Sequence, residues 1–163
     1  MHGEGTAIRW QCGSAAMIGL TGVYAALRLR AEVFVVEQQC AYADVDGRDL
    51  APGVLHLLAW HDADLLAGAR LLPPGVTFEA ATIGRVVVAP SARGRGLAHA
   101  LMQRAIDACS TVWPESDIML SAQAHLQDFY AAHGFLACSA RYLEDGIPHV
   151  DMRCVRSDLP PYV

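Results

Sequence analysis

Between residues 20 and 36, the apolar side chains Leu20, Val23, Tyr24, Leu27, Ala31, Phe34 and Val35 return every three or four positions, while Arg28, Arg30 and Glu32 fill the gaps. That is the period of an amphipathic helix. Before it, residues 6–12 alternate as a strand does, and Gly13 and Ser14 break the run. After it, residues 38–53 are polar and carry Asp44, Asp46, Arg48 and Asp49, which reads as an ordered loop with solvated charges. Residues 54–60 and 65–72 are apolar runs parted by His61, Asp62, Ala63 and Asp64, a hairpin pattern that Pro73, Pro74 and Gly75 close.

Farther on, β-branched residues 82–89 end at Pro90, and Leu97, Leu101, Met102, Ala105, Ile106 and Cys109 then show helical spacing. Residues 117–122 make a short strand, and residues 123–133 a helix stopped by Gly134, a residue suited to a left-handed cap. Two last strands, 135–143 and 149–154, flank a turn at Glu144, Asp145, Gly146, Ile147 and Pro148. Pro160 and Pro161 mark a loose tail over 157–163. This order of elements predicts an α/β (mixed α+β) fold, with a mixed sheet rather than a pure βαβ ladder. No repeat or linker divides it, so residues 1–163 read as a single domain.

Composition agrees with that reading. The chain has 163 residues, 53% of them hydrophobic, enough for one real core. Its formal charge of -5 argues against a protein that grips nucleic acid, which needs a dense basic face. Cys12, Cys40, Cys109, Cys138 and Cys154 are scattered, odd in number and form no C-x-x-C pair, so neither a disulfide framework nor a metal site is expected. Residues 15–27 are too short and too glycine-interrupted to span a bilayer, and Glu4 stands where a signal peptide carries positive charge. The expected location is cytoplasmic, with no membrane partner.

The chemistry concentrates at Arg93-Gly94-Arg95-Gly96-Leu97-Ala98, two glycines between a buried strand and a helix start. Free amides at a helix N-terminus form an anion cradle, backed by the helix dipole, and glycine lets a diphosphate approach the main chain. Arg93 and Arg95 add positive charge. There is no Gly-Lys-Ser/Thr and no Gly-x-Gly-x-x-Gly, so neither a P-loop nor a dinucleotide fold is indicated.

The run Val88-Ala89-Pro90, then Arg93 to Ala98, then Leu101-Met102 resembles the acetyl-CoA signature of the GNAT acetyltransferases. A second match lies at residues 123–130 with Gly134-Phe135, which look like the family's helix bearing a tyrosine near the thioester sulfur. Residues 33–38, 121–126 and 144–149 are similar to segments of the ElaA-like subgroup, so the resemblance covers about the whole domain. It implies a three-layer fold with a V-splayed sheet of six to seven strands, and acetyl-CoA as donor without a metal. Val86, Val87 and Val88 would lend backbone groups to the pantetheine arm. Gln123, where many relatives carry Asn, joins the cofactor-binding set with Tyr130. The resemblance implies direct transfer in a ternary complex, and it allows a homodimer.

Acetyl transfer needs a neutral amine, whereas an alkyl ammonium has a pKa of about 10.4, so a base or a desolvating pocket must help. Tyr130 is the candidate acid for the leaving thiolate. His149 shares one face of the last strand with Asp151 and Arg153 and is the candidate base, also placed to contact the acceptor. Glu37 and Glu144 are candidates to attract the acceptor's ammonium or relay its proton. His56, inside an apolar run, reads as structural. The expected activity is transfer to a primary amine of a small molecule or of a peptide or protein. A non-catalytic acyl-CoA-binding module is the alternative, against which Tyr130, His149 and Glu144 speak.

Overall fold

Ser14 accepts a hydrogen bond at its hydroxyl oxygen from the Met17 amide, 3.3 Å away, and this N-cap starts helix α1, Ala15–Arg30. The computed structural model describes residues 7–158; of the expected first strand, Thr6 lies outside them. Strand β1 is Arg9–Gly13. Gly19, with φ 77°, interrupts α1 in a conformation that glycine adopts at no steric cost. Beyond Arg30 the chain winds on as a wider π-helix, Ala31–Glu37, seen in Gln38 N–H donating to the Val33 carbonyl at 3.1 Å.

The buried stripe of this helix is not the expected one. Ile18, Ala26, Leu29 and Val33 are inside, while Leu20 is 88% and Tyr24 70% exposed. Ile18 and Ala26 pack with Leu58 and Trp60, and Gly22 is buried on the same face, where a Cβ would press on the Ile18 side chain. Leu29 and Val33 cluster with Val87.

Strands β2 (Leu55–His61) and β3 (Asp64–Leu72) are joined by a two-residue turn in which Asp62 takes φ 52°. Then come β4 (Ala81–Val88), a 3-10 turn (Pro90–Ala92), α2 (Leu97–Val112), β5 (Ile118–Gln123), a 3-10 turn (Ala124–Leu126) and α3 (Gln127–Ala131). The last elements are β6 (Leu136–Ala137), β7 (Tyr142–Glu144), β8 (Ile147–Cys154) and a 3-10 turn, Arg156–Asp158. That turn takes in Ser157 and Asp158 from the expected tail; residues 159–163 lie outside the described ones.

The strands form one open, mixed sheet of eight, one more than the upper expectation, in the order β1-β2-β3-β4-β5-β8-β6, with β7 on β8. β5 and β8 pair antiparallel over the whole of β5, from Ile118↔Cys154 to Gln123↔His149. The parallel ladder of β4 with β5 covers two pairs, Ala81↔Ile118 and Thr82↔Met119. The β7–β8 turn is tighter than expected: Asp145 and Gly146 alone make it, at φ 50° and 78°, the signs of a type I′ hairpin, and Ile147 and Pro148 already belong to β8.

By internal contacts the chain falls into two compact units: residues up to Arg70 with Arg85–Leu101, and Leu71–Gly84 with those from Met102 onward. In the second, β8 alternates as its sequence does, with Val150, Met152 and Cys154 buried and His149, Asp151 and Arg153 half-buried. No helix among the described residues is long and apolar enough to cross a membrane.

Candidate active site

The first unit holds the glycine loop. Ala89 N–H donates to the Leu66 carbonyl at 2.7 Å, and Ala92 N–H to the Ala89 carbonyl at 2.9 Å, so the chain leaves β4 in a fixed turn. Gly94 and Gly96 then take φ 79° and 76°, which side chains with a Cβ adopt at a cost of about 1 kcal/mol or more. The Gly96 carbonyl accepts from Ala100 N–H at 3.2 Å, making Gly96 the cap of α2 and leaving the first-turn amides of Leu97 and Ala98 without acceptors inside the helix. Leu97 is buried and anchors the turn. A Cβ built on Gly94 or Gly96 would meet nothing within 4 Å: the loop is open on its outer side, and its main chain is the available surface. These residues fit a diphosphate.

The two arginines of the loop are already engaged. Arg93 donates from Nε to the Val88 carbonyl at 3.2 Å and grips Glu37 with both terminal nitrogens, at 2.5 and 2.9 Å. Arg95 turns back to the Ser91 carbonyl at 3.1 Å. Glu37, expected at the acceptor's ammonium, thus closes the helix that precedes the 38–53 loop and faces Arg93, whose hydrogen bond holds its carboxyl below the usual range. Val87 is buried, and Val86 and Val88 are half-buried.

In the second unit, Tyr130 sits in the last turn of α3. Gly134 N–H donates to the Ala131 carbonyl at 3.0 Å and Phe135 N–H to the Tyr130 carbonyl at 3.3 Å, with Gly134 at φ 91°. This is a Schellman cap. Its hydrophobic contact is Tyr130 against Phe135, edge to face at 6.5 Å. Phe129 packs on Tyr130 likewise, at 5.0 Å. Burial pushes the Tyr130 phenol up to about 12, so at neutral pH it keeps its proton, held more tightly than that of a free phenol.

His149 lies opposite Gln123 on one side and Tyr142 on the other, and its ring stacks on Tyr142 at 6.1 Å. Its Nδ1 is 2.7 Å from the Ile147 carbonyl oxygen, and its Nε2 is 3.6 Å from Glu144. Gln123 ends β5 and caps the 3-10 turn that follows. So His149, Glu144 and Gln123 are neighbours. They adjoin a group that sequence reasoning missed. Tyr142 O–H is 2.6 Å from Asp151 and 3.0 Å from Ser121, and Ser121 donates to Asp151 at 2.9 Å. Alternation puts Ser121 beside Gln123 and Asp151 beside His149, but only the β5–β8 register joins the pairs.

A larger omission lies in the first unit, where the 38–53 loop is no solvated linker. Asp44 and Asp49 are 6% and 5% exposed, and Arg30 and Arg70 3% each. Arg30 reaches Asp44 at 2.9 Å and Asp49 at 2.5 Å. Arg70 holds Asp46 at 2.8 Å and Asp49 at 3.3 Å. Arg85, on β4 with φ 51°, reaches Asp44 at 2.9 Å and lies over the Tyr42 ring at 5.6 Å. His56 meets the Asp49 carbonyl at 2.9 Å. Burial raises the Asp46 and Asp49 carboxyls, but arginine hydrogen bonds and charge outweigh it and hold both low. Part of the signal was present: Arg70 and Arg85 each interrupt an apolar run, and a buried guanidinium requires an acid.

Residues 23–156 match the acetyltransferase (GNAT) domain family. The chain is 42% identical over 145 residues to the protein ElaA of Escherichia coli, covering 89% of this chain and 95% of that one. A crystal structure of an acyl-CoA N-acyltransferase from Pseudomonas aeruginosa superposes with a TM-score of 0.88 at 49% identity, covering 91% of this chain and all of that one. The crystal structure of Escherichia coli ElaA gives 0.85 at 41% identity, over 90% of this chain and 99% of that one. The likeness extends from the glycine loop through Tyr130 to β8, and the chain therefore belongs to the GNAT acyltransferases, as an ElaA-like member and a transferase.

Proposed function

We propose that this protein transfers the acetyl group of acetyl-CoA directly to a primary amine. The observation that carries the reading is the open glycine loop at the start of α2, with Gly94 and Gly96 at positive φ and nothing in front of them. In this reading the amides of residues 94–98 hold the coenzyme's diphosphate. The main chain of Val86, Val87 and Val88, beyond the two-pair ladder of β4 with β5, lines the pantetheine arm, with Gln123 toward the thioester.

A carbonyl can only accept, so the 2.7 Å contact of His149 Nδ1 with Ile147 assigns the ring proton to Nδ1. Nε2 then carries the lone pair that takes a proton from the acceptor ammonium. The imidazolium so formed is 3.6 Å from the Glu144 carboxylate, which stabilises it. Tyr130, neutral at working pH, gives its proton to the departing sulfur as the amine attacks the thioester carbonyl, and the proton that the amine nitrogen loses as the amide forms returns the tyrosinate to the phenol. A thiol pKa of about 8.5 makes that assistance modest. The acceptor is a cationic amine in water, and the setting is the cytoplasm.

The test is release of free thiol from acetyl-CoA against a panel of amines, peptides and aminoglycosides. Turnover with at least one amine, abolished by Gly96→Glu through loss of coenzyme binding, is the expected result. Unchanged coenzyme affinity in Gly96→Glu refutes the loop assignment.

A further inference from the structure

Glu37 and Arg93 are the only side chains in the first unit that tie the helix before the 38–53 loop to the glycine loop by a two-pronged ion pair among the described residues, and both are substantially exposed, at 41% and 43% of their side-chain area. Three features bear on what the pair does. Three of the five guanidinium N–H groups are engaged, Nε on the Val88 carbonyl at the end of β4 and one from each terminal nitrogen on the two Glu37 oxygens. Such fork-to-fork pairing fixes orientation as well as adding energy. Arg93 is also the residue at which the 3-10 turn ends, its backbone extended at φ -73° and ψ 159°, immediately before Gly94 turns to positive φ. Finally, Glu37 stands in the last turn of its helix, where no basic residue is present and where the helix dipole disfavours a carboxylate. Arg93 is what compensates that charge.

From this we infer that Glu37 is a positioning residue on the coenzyme side: it holds Arg93 across β4's end, and so sets the direction in which the amides of the glycine loop face. The inference rests on the coenzyme reading of that loop and replaces the acceptor-side role expected for Glu37. Arg93 in turn shapes the loop, and the diphosphate is met by main-chain amides. The opposite arrangement is a latch, in which Glu37 occupies Arg93 until the diphosphate displaces it and frees the carboxylate for the acceptor. The two differ in the sign of one measurement. If Glu37 positions the loop, removing its charge weakens coenzyme binding; if it competes for Arg93, removal tightens binding.

The experiment is calorimetric titration of the full chain with CoA, for the parent, Glu37→Gln, Arg93→Ala, the double variant and Gly96→Glu, with the acceptor KM measured at saturating acetyl-CoA. An exposed ion pair predicts about two- to fivefold weaker CoA binding in Glu37→Gln. Arg93→Ala weakens it at least as much, the double variant is no weaker than Arg93→Ala alone, and the acceptor KM stays unchanged. Thermal unfolding within a few degrees of the parent accompanies this. Tighter or equal CoA binding in Glu37→Gln overturns the inference, as does a raised acceptor KM with CoA affinity intact. Gly96→Glu separates the layers: if it leaves CoA binding intact, the coenzyme reading itself fails, whereas if it abolishes binding while Glu37→Gln has no effect, only the role of Glu37 fails.

Discussion

His149 and Ile147 are held together within one strand: the imidazole Nδ1 is 2.7 Å from the carbonyl oxygen two residues earlier. In the proposed mechanism that bond engages the Nδ1 proton and leaves the Nε2 lone pair to act as base, with the ring stacked on Tyr142 at 6.1 Å. Replacing His149 with Ala is expected to lower kcat/KM for the acceptor by about 10² to 10⁴. Added imidazole should restore part of the rate, whereas CoA affinity measured by calorimetry stays at the parent value. Full turnover in His149→Ala removes the base assignment.

Tyr130 gives a second prediction. Tyr130→Phe retains the ring contacts with Phe129 and Phe135 and removes only the proton. A single-turnover rate about 10²-fold lower is expected, with no change in fold by circular dichroism. A parent-like rate under conditions where chemistry limits turnover would show that Tyr130 only packs.

The same residue links stability to alkaline pH. Burial raises its phenol from 10.0 to about 12, so the folded state keeps a proton that the unfolded state has lost. Its share of stability is fully present below pH about 10 and falls away as pH rises toward about 12, by on the order of 3 kcal/mol. Urea unfolding of the parent and of Tyr130→Phe across pH 8.5 to 11.5, roughly the window those values define, should show the parent losing stability more steeply. Parallel curves would contradict it.

The buried arginine–aspartate cluster predicts a large stability effect. Asp49→Asn leaves Arg30 and Arg70 without a shared counter-charge in a buried setting, and breaking such a pair costs about 3 to 5 kcal/mol. The Asp46 and Asp49 carboxyls are held below their ordinary values. Their contribution is therefore complete above the unfolded carboxylate range and is lost as pH falls through and below about 4. Denaturant midpoints at neutral and acid pH for the parent and Asp49→Asn check both statements. An Asp49→Asn midpoint equal to the parent's at neutral pH would sink the claim.

Much of the fold is legible in local pattern. The Asp62 turn between two apolar runs, Gly134 ending α3 and Asp145-Gly146 turning β7 into β8 are signals that act over three or four residues; Ser14, read only as a break after the first strand, caps a helix that starts at Ala15 rather than at the expected Leu20. The helix at residues 20–36 shows where such signals fail. Its periodicity was plain, but two stripes compete on that surface, and burial fell to the one with Gly22 and Ala26. Small side chains such as these carry little hydrophobic weight in a periodicity count.

By itself, the amino-acid sequence determined most of the element order, although the single strand expected over 135–143 is β6 and β7, together with the glycine loop at the mouth of α2, the candidate acid on α3 and the family. Each depends on residues adjacent in the chain, where spacing and conformational preference act directly. Only the tertiary structure decided the pairing of Glu37 with Arg93, the junction of Ser121, Tyr142 and Asp151 beside His149, and the fate of the acidic loop. Charged groups far apart in sequence carry no mark of their partners. Their burial is stable only when strand register and loop path bring opposite charges within about 3 Å, where a charge-assisted hydrogen bond offsets desolvation.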